Sequence, residues 1–322
     1  MSTKNKKTAV ILMTYGSPRA LADIPHYLKN VYGGREASPE VVAEFRRRYK
    51  VIGGSPLIRI TKDQATALQE ELNSLHADGL TFQAAAGMRF SHPFISEVVP
   101  EITDDAEQIV GVIMSPQYSP IIMNGYVREL EEAVKRLHRQ NLKLTIATDW
   151  HLEPYFIQAM AERVTEALTR FPQKIQKTIS VLLSAHSMPK RVIAKEPGYI
   201  NDLKETAAAI AKEAGLQKNR WMFCYQSAGH TPEAWLKPDF ADIMPKLKKA
   251  GNTHVLIAPV QFLADHLEIL YDVGIAAREQ AEEHGIQFAR TESLNTSPLF
   301  IKALADVVKR QTGSKSVTGQ TE

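Results

Sequence analysis

A histidine at the end of an apolar run and a row of three carboxylates are the side chains of this sequence best suited to chemistry. The run VLLSA leads directly to His186, which places the imidazole at the mouth of a predicted buried strand. In the segment FLADHLEILYD, predicted to be helical, Asp265, Glu268 and Asp272 fall at positions i, i+3 and i+7 and therefore share one face. Imidazole and carboxylate groups beside a cleft can hold a divalent cation and accept protons.

Both features also have structural interpretations. A histidine at a strand end is often a structural residue, and a stripe of charge on a helix is often its solvated face. The two features together favour a metal or proton-transfer site, because both follow predicted strands. Two ligand types do not identify a metal by themselves.

Other polar side chains also come directly after predicted strands. Tyr15 lies in the segment TYGSP, where a glycine and a proline favour a turn. Arg89 and His92 follow the second strand, and the segment SPQYSP follows the third. These groups are candidates for contacts to a polar ligand.

Apolar runs that alternate with segments of helical period predict the elements that position these residues. The predicted strands cover residues 8–14, 81–86, 108–114, 144–148, 178–184, 220–225 and 253–259. This alternation predicts an α/β fold with two similar lobes, each a parallel sheet flanked by helices. Ligands of such sheets bind beyond the carboxyl ends of the strands, which is where the candidate residues lie.

The chain is predicted to divide near residue 118. Residues 1–118 form the first lobe, completed by a C-terminal helix at 297–313, and residues 119–296 form the second lobe with the metal and proton-transfer residues. Strand 144–148 is thereby assigned to the second lobe. The polar segment 314–322 is predicted to be a disordered tail.

Helix ends are marked by residues with special backbone preferences. Pro154 and the pair Ser297-Pro298 predict helix starts, and Gly251 and Gly285 predict helix ends. Thr61 and Gln64 have the spacing of a capping box.

Composition excludes several classes of protein. The 322 residues include 39 lysines and arginines and 36 acids, and a net charge of +3 without a basic block argues against nucleic-acid binding. No apolar run approaches the ~20 residues of a membrane span, and the N-terminal segment does not resemble a secretory signal. Cys224 is the only cysteine, which excludes an internal disulfide and an iron–sulfur cluster held by cysteines. We therefore expect a cytoplasmic protein, and separately we expect a monomer without a tightly bound cofactor.

Five segments resemble the signature motifs of the ferrochelatase family, in the family's order. They are TYGSP, IGGSPL, SAHSMP, TPEAWLKPD and FLADHLEILYD, and the resemblance extends from Thr8 to about Gln311. It implies two Rossmann-like lobes around a porphyrin cleft, and insertion of ferrous iron as substrate into a tetrapyrrole with release of two protons.

The resemblance also implies roles for individual residues. His186 and Glu268 match the residues that face the porphyrin centre and bind metal or take the pyrrole protons, with the division of labour open. Tyr15 matches the axial position on the opposite face, and a tyrosine there is typical of the monoderm enzymes that use coproporphyrin III. Asp265 and Asp272 are candidates for guiding the metal in.

Propionate binding is implied for a further set of polar residues, namely Arg48, Ser55 and Tyr126, with Asn124 beside them. Tyr32 stands where relatives often carry a basic residue, although Arg35 remains nearby.

Two alternatives stay open at this point. The substrate could be protoporphyrin IX, or the chain could be a non-catalytic carrier of haem or coprohaem. A nucleotide-binding Rossmann enzyme is disfavoured because no GxGxxG follows a strand. A transient contact with a downstream haem-synthesis enzyme is expected, because free product of this kind is toxic.

Overall fold

Within the residues that the structure describes, eight strands form two separate four-stranded sheets. A computed structural model of the chain describes residues 6–74, 80–229 and 233–313, so the predicted tail at 314–322 lies outside the described residues. The strands are β1 Lys6–Thr14, β2 Leu80–Met88, β3 Gln108–Ile113, β4 Lys143–Ala147, β5 Ser180–His186, β6 Trp221–Gln226, β7 His254–Pro259 and β8 Gln287–Arg290.

Helices connect and cover the sheets. They are α1 Ile24–Val31, α2 Pro39–Val51, α3 Leu57–Ser74, α4 Ile95–Thr103, α5 Pro120–Arg136, α6 Pro154–Thr169, α7 Gln173–Gln176, α8 Lys190–Ile193, α9 Pro197–Glu213, α10 Phe240–Lys249, α11 Ala277–Glu283 and α12 Pro298–Thr312. A 3-10 turn, Leu21–Asp23, precedes α1, and a π-helix, Glu268–Ala276, precedes α11.

The two sheets have the same topology. Their strand orders are β2-β1-β3-β4 and β6-β5-β7-β8, and all pairings are parallel. In each sheet the second strand along the chain pairs with one side of the first strand, and the third strand pairs with its other side. The order therefore reverses between β1 and β3 and between β5 and β7, and a crevice opens beside the strand ends at such a switch point. The predicted α/β fold with two similar lobes is confirmed.

The strands are apolar throughout because both faces of each sheet are covered. In β1, Val10 and Leu12 belong to a large core that also includes Val181 and Leu183 of β5. The alternate residues Ala9, Ile11 and Met13 pack instead against α4 and α5. One continuous core therefore joins the two lobes, and it holds the mouths of β1 and β5 in a fixed relation.

The last strand of the first sheet corrects the predicted assignment. β4 pairs with β3 through Ile109↔Leu144 and Gly111↔Ile146, although strand 144–148 was assigned to the second lobe. Helix α12 packs against β3, β4, α3 and α6. The first sheet thus extends past residue 118, because the crossover helix α5 returns the chain to it, as parallel neighbours require.

Most helix ends follow the sequence signals. Pro154 and Pro298 open α6 and α12, and Gly251 and Gly285 take the left-handed conformation just beyond α10 and α11. Thr61 is an exception, since α3 already begins at Leu57 and the Thr61 hydroxyl donates to the Leu57 carbonyl at 2.8 Å. The predicted capping box at Thr61 is therefore wrong.

Candidate active site

His186 ends β5 at the switch point of the second sheet. Its main-chain N–H donates to Gln261 Oε1 at 3.0 Å, and its Nδ1 contacts the main-chain carbonyl of Ser187. Because a carbonyl only accepts, Nδ1 is the donor in this contact, and the lone pair of the neutral form of the ring is then on Nε2. Nε2 lies 3.4 Å from Glu268 Oε2.

Glu268 faces this lone pair with an unsatisfied oxygen. Its Oε2 is buried and has no hydrogen-bond partner among the residues that the structure describes. A lone pair and a carboxylate oxygen directed at each other are unfavourable unless a proton or a cation lies between them. Both side chains are about one third exposed, 30% for His186 and 32% for Glu268, so they remain accessible from the cleft. The pair is therefore suited to bind a divalent cation or to accept a proton.

Glu268 opens a π-helix rather than continuing a longer α-helix. The predicted helix is wrong over residues 262–266, which form a loop, and helical structure begins at Leu267. Asp265 lies in this loop, where its carboxylate accepts bonds from Ser293 Oγ at 2.9 Å and Asn295 Nδ2 at 3.1 Å. Such local polar bonds compete with helical ones, and they leave Asp265 outside the predicted row of carboxylates.

Asp272 stays beside Glu268 on the π-helix. Arg48 Nη1 donates to Asp272 Oδ1 at 3.2 Å. Burial first, and then the negative charge of Glu268, raise the pKa of Asp272, while Ser227 and Arg48 oppose the rise. The acidic row of the folded protein thus consists of Glu268 and Asp272.

Relative to wild type, the Asp272→Asn variant is expected to gain more stability at pH 7 than at pH 4. A carboxyl whose pKa is raised by folding contributes stability that is fully present below its unfolded pKa and is lost as pH rises through the folded pKa. The asparagine keeps an acceptor for Arg48 without the charge. Urea unfolding of both proteins at both pH values measures the difference.

Asp105→Asn is the control of opposite sign. Lys7 lowers the pKa of Asp105, so this charge contributes stability above its unfolded pKa that is lost as pH falls. The Asp105→Asn variant, measured in addition at pH 3, below the usual pKa of an aspartate, should therefore lose more stability at pH 7 than at pH 3. Equal effects of Asp272→Asn at both pH values would contradict the raised pKa.

Helix α2 packs its basic residues onto the π-helix. Arg48 donates to Glu44 Oε1 at 2.7 Å, and Arg47 forms a bidentate pair with the same carboxylate at 2.8 and 2.9 Å. Both guanidinium groups lie 5.1 Å from the centre of the Tyr271 ring. Arg48 is therefore paired with Glu44 and Asp272, and a ligand carboxylate that binds Arg48 would have to replace one of these partners.

Tyr15 follows β1 at the switch point of the first sheet, as His186 follows β5 in the second. Gly16 makes the turn with φ of +90°, and a Cβ there would lie 2.3 Å from Ser91 Oγ. Tyr27 donates its hydroxyl to the Gly16 carbonyl at 3.2 Å, and the N–H of Phe90 donates to the Tyr15 carbonyl at 3.1 Å. These contacts fix the backbone of Tyr15.

The ring of Tyr15 is open to the cleft but surrounded by aromatic side chains. It is 43% exposed, and its centre lies 4.5 Å from Phe90 and 6.4 Å from Tyr27. Burial first, and then the charge of Glu268, raise the pKa of the Tyr15 hydroxyl. Tyr15 is thus a neutral phenol at neutral pH, and it lies close enough to Glu268 for the carboxylate charge to affect its pKa.

Arg89 lies against the start of α5, where two of the predicted propionate residues lie. Its guanidinium is 5.3 Å from the ring centre of Tyr126. A Cβ added at Gly125 would lie only 1.9 Å from this guanidinium. Glycine at 125 therefore makes room for Arg89. Tyr126 is buried and Asn124 is exposed.

Ser55 lies in the loop between α2 and α3. Its hydroxyl accepts from the N–H of Leu57 at 3.4 Å, and Gly53 and Gly54 before it have φ of +72° and +95°. These left-handed conformations favour glycine and form the turn. Ser55 is half-buried, so its hydroxyl is partly accessible.

The structure brings together Tyr15, Glu268, His186 and Asp272 as a group, whereas Asp265 is separately anchored. Two neighbours of the group were missed by sequence reasoning. Gln261 accepts a hydrogen bond from the main-chain N–H of His186. Burial first, and then the negative charge of Glu268, raise the pKa of the Tyr49 hydroxyl. Gln261 follows the predicted strand 253–259 at the same distance at which His186 follows 178–184, so the strand-end signal could have found it, whereas Tyr49 lies within α2 and carries no such signal.

Comparison with known proteins decides the family. The ferrochelatase family profile matches residues 7–312. A ferrochelatase of Herpetosiphon aurantiacus is 38% identical over 307 residues, covering 95% of this chain and 99% of its own. The chain belongs to the ferrochelatase family. The resemblance read from the motifs is thereby confirmed, and the activity is that of a porphyrin metal chelatase.

Relatives within the ferrochelatase family carry two names. A ferrochelatase of Deinococcus radiodurans is 37% identical, covering 96% of this chain and 97% of its own. The coproporphyrin III ferrochelatase of Geobacillus kaustophilus is 38% identical, covering 95% of this chain and 96% of its own. The family's substrates, a porphyrin and a metal ion, suit the cleft residues described above.

A solved structure has the same two-lobed α/β fold. SirB from Bacillus subtilis with Fe3+ matches with a TM-score of 0.59 at 10% identity, covering 95% of each chain. At this identity the likeness concerns the fold alone. Within the described part of the chain, none of the helices has the length and apolar character needed to cross a membrane.

Proposed function

We propose that the protein inserts Fe2+ into coproporphyrin III to give coproheme III. The support is the set of relatives named coproporphyrin III ferrochelatase, together with a tyrosine at position 15. Coproporphyrin carries four propionates, so its site needs several polar anchors. Arg48, Ser55, Asn124 and Tyr126 are the proposed anchors.

The single observation that carries the catalytic proposal is the unsatisfied Glu268 Oε2, 3.4 Å from His186 Nε2. Insertion forms bonds from iron to four ring nitrogens and breaks two pyrrole N–H bonds, which releases two protons. An imidazole lone pair and a carboxylate oxygen directed at one point can bind the ion as it arrives and accept these protons. His186 and Glu268 are the proposed catalytic residues.

Tyr15 is proposed as the axial group on the other face of the macrocycle. Because its pKa is raised, its hydroxyl stays protonated at neutral pH and offers no phenolate that could take a proton. Its contribution is therefore a neutral oxygen directed at the metal, which holds the ring between the lobes. Base chemistry stays on the side of His186 and Glu268.

The Tyr15→Phe variant should keep iron insertion within about ten-fold of wild type, because a residue that takes no proton contributes less than a general base. The absorption spectrum of the bound iron porphyrin should nevertheless change, since an axial oxygen is lost. Tyr155→Phe, a partly buried tyrosine of α6, is the control and should leave the spectrum unchanged. An unaltered spectrum in Tyr15→Phe would show that the phenol is not an iron ligand.

A side-by-side assay of two porphyrins tests the proposed substrate. Anaerobic Fe2+ is added with coproporphyrin III or with protoporphyrin IX, and metalloporphyrin formation is followed by absorbance. A higher kcat/KM for coproporphyrin III is the expected result. Preference for protoporphyrin IX would overturn the substrate assignment, and tight coprohaem binding without metallation of either ring would favour a carrier.

Metal delivery and product transfer are proposed around the same cleft. Asp272 extends the negative charge of Glu268 and can guide the cation, whereas Asp265 is a weaker candidate because its carboxylate already accepts two hydrogen bonds. We also propose a cytoplasmic location, which fits a free, buried Cys224. A downstream haem-synthesis enzyme that accepts the product should accelerate its release, and unchanged release would argue against direct transfer.

A further inference from the structure

Gln261 connects the catalytic strand of the second lobe to a buried tyrosine. Its Oε1 accepts the main-chain N–H of His186 at 3.0 Å, and its Nε2 donates to the Tyr199 hydroxyl at 2.6 Å. Gln261 is 8% exposed and Tyr199 is 2% exposed. A main-chain N–H can only donate, so it fixes the orientation of the glutamine amide, and the NH2 group must face Tyr199.

The side chain of Gln261 occupies a position that a backbone group would normally take. β5 and β7 pair in parallel up to Ser184↔Pro259, and the N–H of Val260 donates to the Ser184 carbonyl at 2.8 Å. The same register would next direct the N–H of His186 to the Val260 carbonyl. Gln261 Oε1 accepts that N–H instead and so ends the ladder at the residue that carries the imidazole.

The other side of His186 is held by the neighbouring strand. The N–H of Ser187 donates to the Gln226 carbonyl at 2.7 Å, and the Ser187 hydroxyl donates to the Leu236 carbonyl at 2.9 Å. Since the Ser187 carbonyl contacts His186 Nδ1, the imidazole takes its orientation from a backbone fixed on both sides. Two parts of this support come from side chains, the Ser187 hydroxyl and the Gln261 amide, and of these it is Gln261 that bonds the main chain of His186 itself.

We propose that Gln261 is a positioning residue that holds His186 in register with Glu268. This inference rests on the proposed roles of His186 and Glu268. Loss of the Gln261 amide would leave the His186 N–H without its acceptor and allow the end of β5 to shift. A displacement of about 1 Å at a reacting group can cost roughly 100-fold in rate.

The experiment compares Gln261→Leu, Gln261→Glu and Gln108→Leu. Leucine removes both hydrogen bonds, whereas glutamate keeps an oxygen for the His186 N–H and can accept a hydrogen bond from the Tyr199 hydroxyl, which then acts as the donor. Gln108 donates to Thr145 Oγ1 and to the Gln311 carbonyl, both at 3.2 Å, at the amino end of β3. It is the matched control, because it lies at the end of the first sheet that faces away from the cleft.

Two readouts are measured on each variant. The first is the hydrogen-exchange rate of the His186 amide and the tautomer of its ring, by NMR of the metal-free protein labelled with 15N-histidine. The second is kcat and KM for iron insertion. In Gln261→Leu we expect faster exchange, loss of the single Nδ1-protonated tautomer and a kcat about 10- to 100-fold lower, with the porphyrin KM nearly unchanged.

Glutamate at 261 should restore most of both signals, and Gln108→Leu should change neither. The inference is overturned if Gln261→Leu only lowers the melting temperature while His186 exchange, tautomer and kcat stay as in wild type. If the wild-type protein metallated neither porphyrin, the proposed function would fail. The NMR comparison would still decide whether Gln261 positions His186.

Discussion

Iron insertion by the His186→Ala variant is expected to fall by about 1000-fold or more in kcat, in the range typical of a lost general base or metal ligand. The imidazole supplies the Nε2 lone pair that lies 3.4 Å from Glu268 Oε2. The main-chain bond to Gln261 survives the substitution, so the strand end should keep its conformation. Anaerobic turnover with coproporphyrin III measures the loss.

His254→Ala is the matched control for His186→Ala. His254 begins β7 at the opposite end of the same sheet, where its ring packs edge-on against Phe171 at 5.7 Å. This variant should retain nearly full activity. Porphyrin binding, followed by fluorescence quenching, should persist in both variants. More than a tenth of wild-type kcat in His186→Ala would contradict an essential imidazole.

The second large effect is expected for the Glu268→Gln variant, whose kcat should fall by about 100- to 10,000-fold. Glutamine keeps the shape of the side chain but removes its charge and its ability to take a proton. The porphyrin KM should stay close to wild type, because the change concerns the reacting centre. Glu279→Gln, at an exposed position of α11, is the control that should leave kcat unchanged.

Metal binding without porphyrin separates the roles of the pair. If Glu268 mainly takes protons, Glu268→Gln should still bind Co2+ while His186→Ala should not. If both groups hold the ion, both variants lose it. The double variant should be little worse than the poorer single one, since groups that act as a unit give non-additive losses. Independent, additive losses would contradict a joint site.

The sequence predicted the positions of the strands well because continuous apolar runs are typical of parallel strands covered on both faces. β8 was missed, since QFAR is only four residues long and has no such run. β4 was found but assigned to the wrong sheet, because a strand's own residues do not specify which neighbour it pairs with. Pairing depends on where the crossover helix returns the chain.

The candidate site was predictable where residues follow strand ends and less so where side chains decide the geometry. His186 and Tyr15 follow β5 and β1 as expected. The helical period placed Asp265 beside Glu268, but bonds from Ser293 and Asn295, distant in sequence, hold it in a loop. No local pattern reveals a π-helix or partners of this kind.

The packing of α12 on the first sheet also bears on how the protein is assembled during translation. Domains generally fold as units as the chain emerges. The first lobe, however, receives residues 298–312 only after all of the second sheet has been synthesised. The second lobe is therefore nearly complete outside the ribosome while the first lobe still exposes the apolar surface that α12 will cover. That interval is when the nascent chain would depend most on a chaperone.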